Sequence, residues 1–341
     1  MFTHPEPRRT ADFRRSEWLR CFAAAAGSIV ALVLSAGTAA AAPLTLAVSA
    51  LQHAAPVWIA DAEGYFAAEG LTLKLLPCVN GRRCMKHLTD GEAHFATAAD
   101  TPIVMSSFTN TNFAIVATIA TTEDENKFFA LSDRGIRSPS DLKGKRIGWV
   151  KGTSGQYFAD TFLLFHGIRR SEVTIVEMDP ADQTGALVRG EIDAAGSYEP
   201  FGYRMRQIFG TKAQLLKSPR LYTETFNLVA VPPSAGVRDE DVLKLLRALQ
   251  RANRLIASEP ARARSIVASR LKIDPKMLEA IWSDYEFELS LGQSMVTTLE
   301  AQARWAQREG LAPAGKMPDY LDFVRPGPLR TLDRRAVSLV R

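Results

Sequence analysis

The chain has 341 residues, more than a single hydrophobic core usually holds, so two structural halves are expected. Hydrophobic residues make up 46% of it and its formal net charge is +5, which is the composition of an ordinary soluble globular protein. Part of this charge belongs to the first 42 residues, and no long run of lysine and arginine alternates with aromatic residues. Nucleic-acid binding is therefore not expected.

The first 42 residues are typical of an export signal. Arginines within residues 8–20 precede an uncharged segment from Cys21 to Ala36, and small residues follow in "AGTAAAAP". The uncharged segment is shorter than the roughly 20 residues of a membrane-spanning helix, which favours a cleaved signal peptide over an anchor. We expect cleavage near Ala41 and a periplasmic protein, exported by either the general or the twin-arginine route.

Two cysteines remain after such a cleavage, Cys78 and Cys84. In an oxidising compartment, two thiols separated by a short loop usually pair, so we expect a disulfide. A zinc site that adds His87 to the two cysteines is the alternative. It lacks a fourth ligand, and the compartment favours the disulfide.

From residue 44 onward, short β-rich segments alternate with helical segments, which predicts an α/β fold with helices on both faces of its sheets. The predicted strands lie at 43–49, 71–76, 93–98, 113–120, 128–133, 146–150, 173–177, 192–197, 213–216 and 225–231. After Pro232 and Pro233 the pattern predicts four helices, Asp239 to Ser258, Pro260 to Leu271, Pro275 to Asp284 and Gln293 to Glu309. Because this helix-rich end needs a sheet to cover, the chain is expected to cross between two lobes near residues 131 and 230.

In parallel α/β sheets, ligands bind where loops leave the carboxyl ends of the strands. The predicted strand exits carry short, small or polar residues, namely Ser49, Leu51, Gln52, His53, Ala99, Asp100, Thr101, Thr153 to Gln156, Tyr198, Glu199 and Pro200. Thr153 and Gln156 have the spacing of a capping box, and the remaining N–H groups of that helical turn would point outward. The turn is therefore either an anion-binding site or a plain helix cap.

The same residues were compared with enzyme signatures. The segment from Gly152 to Gln156 resembles a nucleophile elbow, but Gln156 stands where that motif requires glycine. The chain has no phosphate-binding glycine loop and no zinc-protease motif, and its histidines are scattered. The sequence therefore predicts no catalytic set, no metal site and no cofactor.

Several phrases resemble the periplasmic substrate-binding proteins of nitrate, sulfonate and taurine ABC importers and the related pyrimidine-binding, NMT1/THI5-like proteins. They are "PVWIADAEGYFAAEGL", "LTDGEAHFATAADTP", "IRSPSDLKGKRIGWVKGTSGQYF", "GALVRGEIDAAGSYEPF" and "ETFNLVAV", with a weaker match in "MPDYLDFVRPGPLR". They follow the order of the family from about residue 46 to residue 232. Two features depart from it: the cysteine pair, and Tyr198, where many members carry tryptophan.

The resemblance implies a two-lobed type II periplasmic binding protein fold, in which each lobe is a mostly parallel sheet flanked by helices. Signal peptide 1–42 would precede lobe 1, made of 43–131 and 232–341, and lobe 2, made of 132–231, with two crossover segments between the lobes. A ligand would lie in the cleft, and the lobes would close over it by hinge bending. The implied contact residues are Ser49, Gln52, Asp100, Thr101, Thr153, Ser154, Gln156, Tyr198, Glu199, Thr225 and Asn227.

The resemblance further implies a monomeric solute-binding component that delivers a small organic anion or zwitterion, similar to a sulfonate or taurine, to an inner-membrane ABC permease with its ATPase. Asp100 and Glu199 would suit a ligand with an amine or a ring N–H better than nitrate, unless both acids cap helices. The alternatives are a pyrimidine-binding protein, a pyrimidine synthase that consumes its own histidine, for which His53 lies in a suitable loop, and a sensory receptor. The export signal argues against the synthase.

Overall fold

The structure is a computed structural model that describes residues 1–4, 43–217 and 219–340. Residues 5–42, which hold most of the predicted signal peptide and the expected cleavage site near Ala41, lie outside the described residues. Residues 43–341 form one compact unit. Among the described helices, none combines the length and the apolar character that a membrane span requires.

The first sheet has six strands in the order β11-β4-β10-β3-β1-β2. Their bounds are β1 (Leu44–Ser49), β2 (Leu73–Cys78), β3 (Phe95–Ala99), β4 (Ala114–Thr122), β10 (Glu224–Ala230) and β11 (Tyr285–Glu286). Strand β1 pairs in parallel with β2 and β3, whereas β10 runs antiparallel to both β3 and β4. All seven residues of β10 are buried, as expected for a central strand that is covered on both faces.

The second sheet has five strands in the order β7-β6-β8-β5-β9. Their bounds are β5 (Asn126–Leu131), β6 (Arg146–Trp149), β7 (Thr174–Glu177), β8 (Ala194–Tyr198) and β9 (Ala213–Leu216). Strand β6 is parallel to β7 and β8, and β5 is antiparallel to β8 and β9. A separate two-stranded pair joins β12 (Leu291–Gly292) to β13 (Val337–Ser338).

The chain passes from the first sheet to the second through 123–125 and returns between Leu216, where β9 ends, and Glu224, where β10 begins. These passages lie a few residues before the expected positions near 131 and 230, because the strand at 126–131 pairs in the second sheet. The passages also explain why both sheets are mixed rather than mostly parallel. A strand that is entered directly from the other sheet, with no crossover helix, is free to run antiparallel to its neighbours.

The helices cover both faces of the sheets. They are α1 (Ala55–Ala62), α2 (Tyr65–Ala68), α3 (Gly81–Thr89), α4 (Asp100–Ser107), α5 (Ser154–Phe165), α6 (Pro180–Arg189), α7 (Phe201–Phe209), α8 (Asp239–Ser258), α9 (Pro260–Leu271), α10 (Pro275–Trp282), α11 (Gln293–Arg308) and α12 (Gly327–Leu332). The four helices predicted after residue 232 are thus present. Val242, Leu245 and Leu249 of α8 belong to the same buried cluster as Ile115 and Val229 of the first sheet.

The predicted disulfide joins Cys78, the last residue of β2, to Cys84 in α3, and its Cα atoms are 5.6 Å apart. Both cysteines are buried. The zinc alternative is wrong for these residues, because a disulfide leaves no thiolate to bind the metal. In addition, no group of three or more His, Cys, Asp or Glu in the described part of the chain could hold a metal ion.

Helix α3 begins unusually close to strand β3. A Cβ atom added to Gly81 would lie 2.9 Å from the Cα of Ala98 and 3.1 Å from the backbone nitrogen of Ala99. Both neighbours are backbone atoms of a central strand, so they cannot move aside as a side chain would. Only glycine allows this approach.

We therefore expect Gly81→Ala to lower the free energy of unfolding by about 1–3 kcal/mol, as overpacking does elsewhere. Gly292→Ala is the control, since its added Cβ would be 3.4 Å from the nearest atom, the Ser294 hydroxyl oxygen, which is an ordinary van der Waals contact. Urea unfolding followed by circular dichroism measures both variants. Equal stability of the two variants would contradict the close approach.

Candidate functional site

A cavity lies at the carboxyl ends of strands from both sheets. The space between its walls is about 390 Å³ including the mouth that opens to solvent, and only about 30 Å³ is wide enough for the centre of a water molecule. It is lined by Leu51, His53, Asn80, Gly81, Arg82, Ala99, Pro102, Glu125, Thr153, Ser154, Tyr198, Glu224 and Phe226. A larger solute therefore needs the walls to separate before it can enter.

Two carboxyl groups face this cavity, and each lies where the chain passes between the sheets. Glu125 ends the first passage and Glu224 begins the strand after the second, and the two residues are only 3% and 2% exposed. The Asn126 amide donates a hydrogen bond of 2.5 Å to Glu224, and the Ser154 hydroxyl donates a second one. The two passages thus bring two acids into one small, poorly hydrated space.

Burial controls the ionisation of these acids. Burial, followed by the charges of Glu125 and Asp100, raises the pKa of Glu224 well above its usual range. Burial likewise raises the pKa of Glu125, against a hydrogen bond from Tyr285 that lowers it. Behind them, burial raises the pKa of Asp100 to about 6, although its carboxylate accepts hydrogen bonds from the backbone of Thr101 and Thr225. A cationic group in the cavity would therefore find several acidic partners.

His53 is held next to Glu125. Its Nε2 lies 3.1 Å from the Ser49 hydroxyl, its Nδ1 lies 3.6 Å from a Glu125 oxygen, and its ring stacks on Phe226 with 3.9 Å between centroids. Burial lowers the pKa of His53 to about 3, so the ring is neutral at pH 7. The Ser49–His53–Glu125 order resembles a hydrolytic triad, but Ser49 is fully buried and does not line the cavity. A substrate in the cavity would not reach its hydroxyl.

Some polar atoms around the cavity lack a partner. Among the described residues, His53 Nδ1, a Glu125 oxygen and the Asn126 side-chain oxygen are buried and make no hydrogen bond. Buried polar atoms in native proteins are almost always hydrogen-bonded. Donors and acceptors in this state are suited to a ligand that carries complementary groups.

The turn before α5 differs from the predicted capping box. The Thr153 hydroxyl donates to the Val150 carbonyl at 2.7 Å, and the Gln156 side-chain oxygen accepts from the Gly152 N–H at 2.8 Å. Each side chain thus bonds a neighbouring backbone group instead of the other's N–H, so the capping box is wrong. Ser154, the first residue of the helix, forms a hydrogen bond with the Glu224 carboxyl group. An acid of the chain itself is therefore in contact with the turn that was predicted to bind an anion.

Among the described residues that line the cavity, Arg82 is the one cationic side chain, since His53 is neutral. Its guanidinium donates a hydrogen bond of 3.2 Å to the Lys151 carbonyl. Arg82 belongs to α3, which packs on the first sheet, whereas Lys151 follows β6 of the second sheet. The hydrogen bond therefore spans the mouth of the cavity and joins its two sides.

Of the predicted contact residues, Thr153, Ser154 and Tyr198 line the cavity. The others do not line it: Ser49, Gln52, Asp100, Thr101, Gln156, Glu199, Thr225 and Asn227. For all eleven predicted residues, a contact with ligand stays a prediction. Glu199 accepts from the Tyr203 N–H at 2.7 Å and from Arg206 at 2.9 Å, which is the helix-capping alternative. Gln52 donates to the Glu199 carbonyl at 3.1 Å and so links the two sheets.

Sequence reasoning missed seven lining residues, namely Asn80, Gly81, Arg82, Pro102, Glu125, Glu224 and Phe226. Glu224 and Phe226 were missed by one position in the strand, because side chains alternate between the two faces and the prediction chose Thr225 and Asn227. This alternation is the signal from which residues on both faces of the strand could have been proposed as candidates. Glu125 lies on a passage between sheets, which a survey of parallel strand exits does not include.

The chain is similar to known proteins in sequence and in fold. A family model described as NMT1/THI5 like matches residues 51–263, which is more than half of the chain. The chain belongs to the NMT1/THI5-like family.

Three relatives of this NMT1/THI5-like chain have names that describe different functions. One from Brucella abortus (strain 2308) is named only as a binding protein and is 27% identical over 152 residues. These residues cover 44% of this chain and 48% of the relative, so the match spans about half of that protein. One from Bacillus subtilis (strain 168), named for aliphatic sulfonates binding, is 24% identical over 69% of this chain and 72% of its own. The 4-amino-5-hydroxymethyl-2-methylpyrimidine phosphate synthase of Aspergillus parasiticus is 26% identical over 63% of this chain and 66% of the synthase.

Among solved structures, the alkanesulfonate-binding protein SsuA from Xanthomonas axonopodis pv. citri bound to MOPS superposes with a TM-score of 0.71. It is 18% identical, and the superposition covers 84% of this chain and 98% of SsuA. At this identity the likeness establishes the fold. The predicted two-lobed type II periplasmic binding protein fold of this NMT1/THI5-like chain is thereby confirmed.

The raised pKa of Glu224 gives a test of the buried acids. Because its folded-state pKa lies above the ordinary value of 4.5, the folded protein holds this proton more tightly than the unfolded chain. The resulting stability is fully present below about pH 4.5 and is lost as the pH rises through the folded-state pKa. Glu224→Gln removes this titration. The free energy of unfolding of the variant should therefore rise relative to that of the wild type between pH 5 and 8, by about 1.4 kcal/mol for each unit by which the folded-state pKa is raised within that window.

Urea unfolding at pH 5, 6, 7 and 8 measures this difference. Glu288→Gln, at an exposed position, is the control and should leave the pH dependence as it is in the wild type. Parallel pH profiles for Glu224→Gln and the wild type would mean that Glu224 is ionised in the folded protein.

Proposed function

We propose that this chain is the solute-binding component of an ABC importer, that it works in the periplasm, and that its partners are an inner-membrane permease and the permease's ATPase. Membership of the NMT1/THI5-like family supports this role, as do the relative named for aliphatic sulfonates binding and the fold shared with SsuA. The lobes would be built on the two sheets and would open and close about 123–125 and 217–223.

For the ligand, we propose a small zwitterion that carries a cationic nitrogen and an anionic group, as taurine does. The observation that carries this proposal is the presence of two buried acids and one arginine in the wall of a single cavity. The nitrogen would meet Glu125 and Glu224, and the anionic group would meet Arg82, Thr153 and the amide of Asn80. A simple anion such as nitrate would face the same acids without a cation to offset them.

The ionisation of the acids fits such a ligand. Burial raises the pKa of both acids, and a carboxyl group that keeps its proton needs no counter-ion in the cavity, which avoids the cost of buried unpaired charge. When a cation enters, the same groups can ionise and pair with it. Binding of a cationic ligand is then accompanied by the release of protons from the acids that it contacts.

A flat nitrogen heterocycle is the second candidate, because three aromatic rings, of His53, Tyr198 and Phe226, line the cavity. An aminopyrimidine would offer its N–H groups to the acids and its ring faces to these side chains. The synthase version of this candidate further requires a lysine to hold its cofactor. No lysine is among the side chains that line the cavity, so the described wall suits binding of a pyrimidine better than its synthesis.

Calorimetric titration of the mature protein with taurine and with ethanesulfonate tests the role of the nitrogen, because the two differ in the amine. We expect taurine to bind more tightly, and Glu224→Gln to weaken taurine about 10- to 100-fold, the value of a hydrogen bond between charged groups. The same substitution should change ethanesulfonate binding little or improve it. Nitrate and 4-amino-5-hydroxymethyl-2-methylpyrimidine complete the panel.

Glu288→Gln again serves as the control and should bind as the wild type does. Equal affinity for taurine and ethanesulfonate, unaffected by Glu224→Gln, would contradict recognition of a cationic nitrogen. Tight binding of the pyrimidine alone would select the second candidate, and its turnover into a product would contradict a purely binding role.

A further inference from the structure

One wall of the cavity is made by the loop that the disulfide closes. Cys78 ends β2 and Cys84 lies in the first half of α3, and three of the five residues between them, Asn80, Gly81 and Arg82, line the cavity. No other part of the described chain supplies three consecutive lining residues. The cross-link therefore brackets a continuous part of the wall.

The loop is fixed on the side of the first sheet by two contacts besides the disulfide. The Asn80 side chain accepts a hydrogen bond of 3.0 Å from the Arg83 N–H and so caps the helix, and Gly81 lies directly against the backbone of Ala98 and Ala99. Both contacts orient the turn. Neither of them ties the end of β2 to the helix, which is done by the bond from Cys78 to Cys84.

On its other side the loop reaches the second sheet. The hydrogen bond from Arg82 to the Lys151 carbonyl ends two residues before Thr153, which itself lines the cavity. A displacement of the loop would break this bond, because Arg82 is exposed and this is the hydrogen bond that its guanidinium donates within the described residues. The position of the loop and the position of the α5 turn are thus coupled through one side chain.

We propose that the Cys78–Cys84 disulfide is a positioning element of the solute site. It holds Asn80, Gly81 and Arg82 as one wall and holds the Arg82 bridge to Lys151 in place. Without the cross-link, this wall and the turn at 151–155 become mobile while the two sheets keep their structure. The consequence for affinity rests on the proposed function, whereas the consequence for mobility does not.

The alternative is a cross-link that only stabilises the fold. Loop closure acts mainly on the unfolded chain, so a purely stabilising disulfide would speed the opening of every segment that exchanges by global unfolding. A positioning disulfide instead changes the segments that it and Arg82 hold. Amide hydrogen exchange followed by mass spectrometry separates these two cases without any ligand.

The experiment compares the mature wild type, with its disulfide verified by mass, with Cys78→Ala/Cys84→Ala, Arg82→Ala and Arg83→Ala. In the double variant we expect exchange at least about 10-fold faster in peptides that cover 79–88 and 150–156, with peptides from β5 and β8 unchanged. Arg82→Ala, with the disulfide intact, should affect only 150–156. Arg83→Ala, an exposed neighbour that does not line the cavity, should affect neither.

Uniform acceleration across the protein, or no acceleration in the two segments, would overturn the proposal. If the double variant does not fold, Arg82→Ala decides alone, since unchanged exchange at 150–156 would refute the bridge on which the coupling depends. Taurine titration of the double variant is the second arm, with an expected loss of about 10-fold in affinity. If the wild type does not bind taurine, the proposed ligand fails, but the exchange result still decides the role of the disulfide.

Discussion

The cost of burying acids where the chain passes between two sheets constrains the rest of this site. Glu125 and Glu224 are adjacent in space only because each ends or follows a passage, and both are almost fully buried. A carboxylate removed from water without a partner is strongly unfavourable. The chain meets this cost with hydrogen bonds from Asn126 and Ser154 to Glu224, and burial raises the pKa of this acid well above its usual range.

This constraint changes the role that is expected for the N-terminus of the helix that begins at Ser154. A helix N-terminus with free N–H groups attracts an anion, and sequence reasoning alone assigns that anion to a solute. In the folded protein, the acid in contact with this turn is Glu224. The cavity wall therefore holds two buried acids and one arginine, on a fold that is shared with an alkanesulfonate-binding protein.

Contacts outside the cavity join the same two sides. The Trp305 indole in α11 donates to the Asp160 carboxylate in α5 at 3.0 Å, and Arg170 lies within 3.5 Å of carboxylate oxygens of both Asp160 and Glu309. Gln52 and Arg82 add hydrogen bonds from the first side to backbone carbonyls of the second. The ring of Tyr157 in α5 also packs edge-on against Trp305, with 5.2 Å between centroids, so the contact between the two sides has an aromatic part as well as polar ones.

The sequence by itself determined the α/β class, the order of strands and helices, the four C-terminal helices and the disulfide. These depend on local signals, namely periodicity, proline breaks and the spacing of two cysteines, which are present in any short window of the chain. It also selected Thr153, Ser154 and Tyr198, which lie at or after the carboxyl ends of strands and line the cavity, while their contact with a ligand stays a prediction. Only the tertiary structure decided that Glu224 and Phe226, rather than Thr225 and Asn227, face the cavity, and that Glu125 and Arg82 join them. Strand register and the approach of two sheets depend on contacts between residues that are far apart in the chain, and no local pattern contains that information.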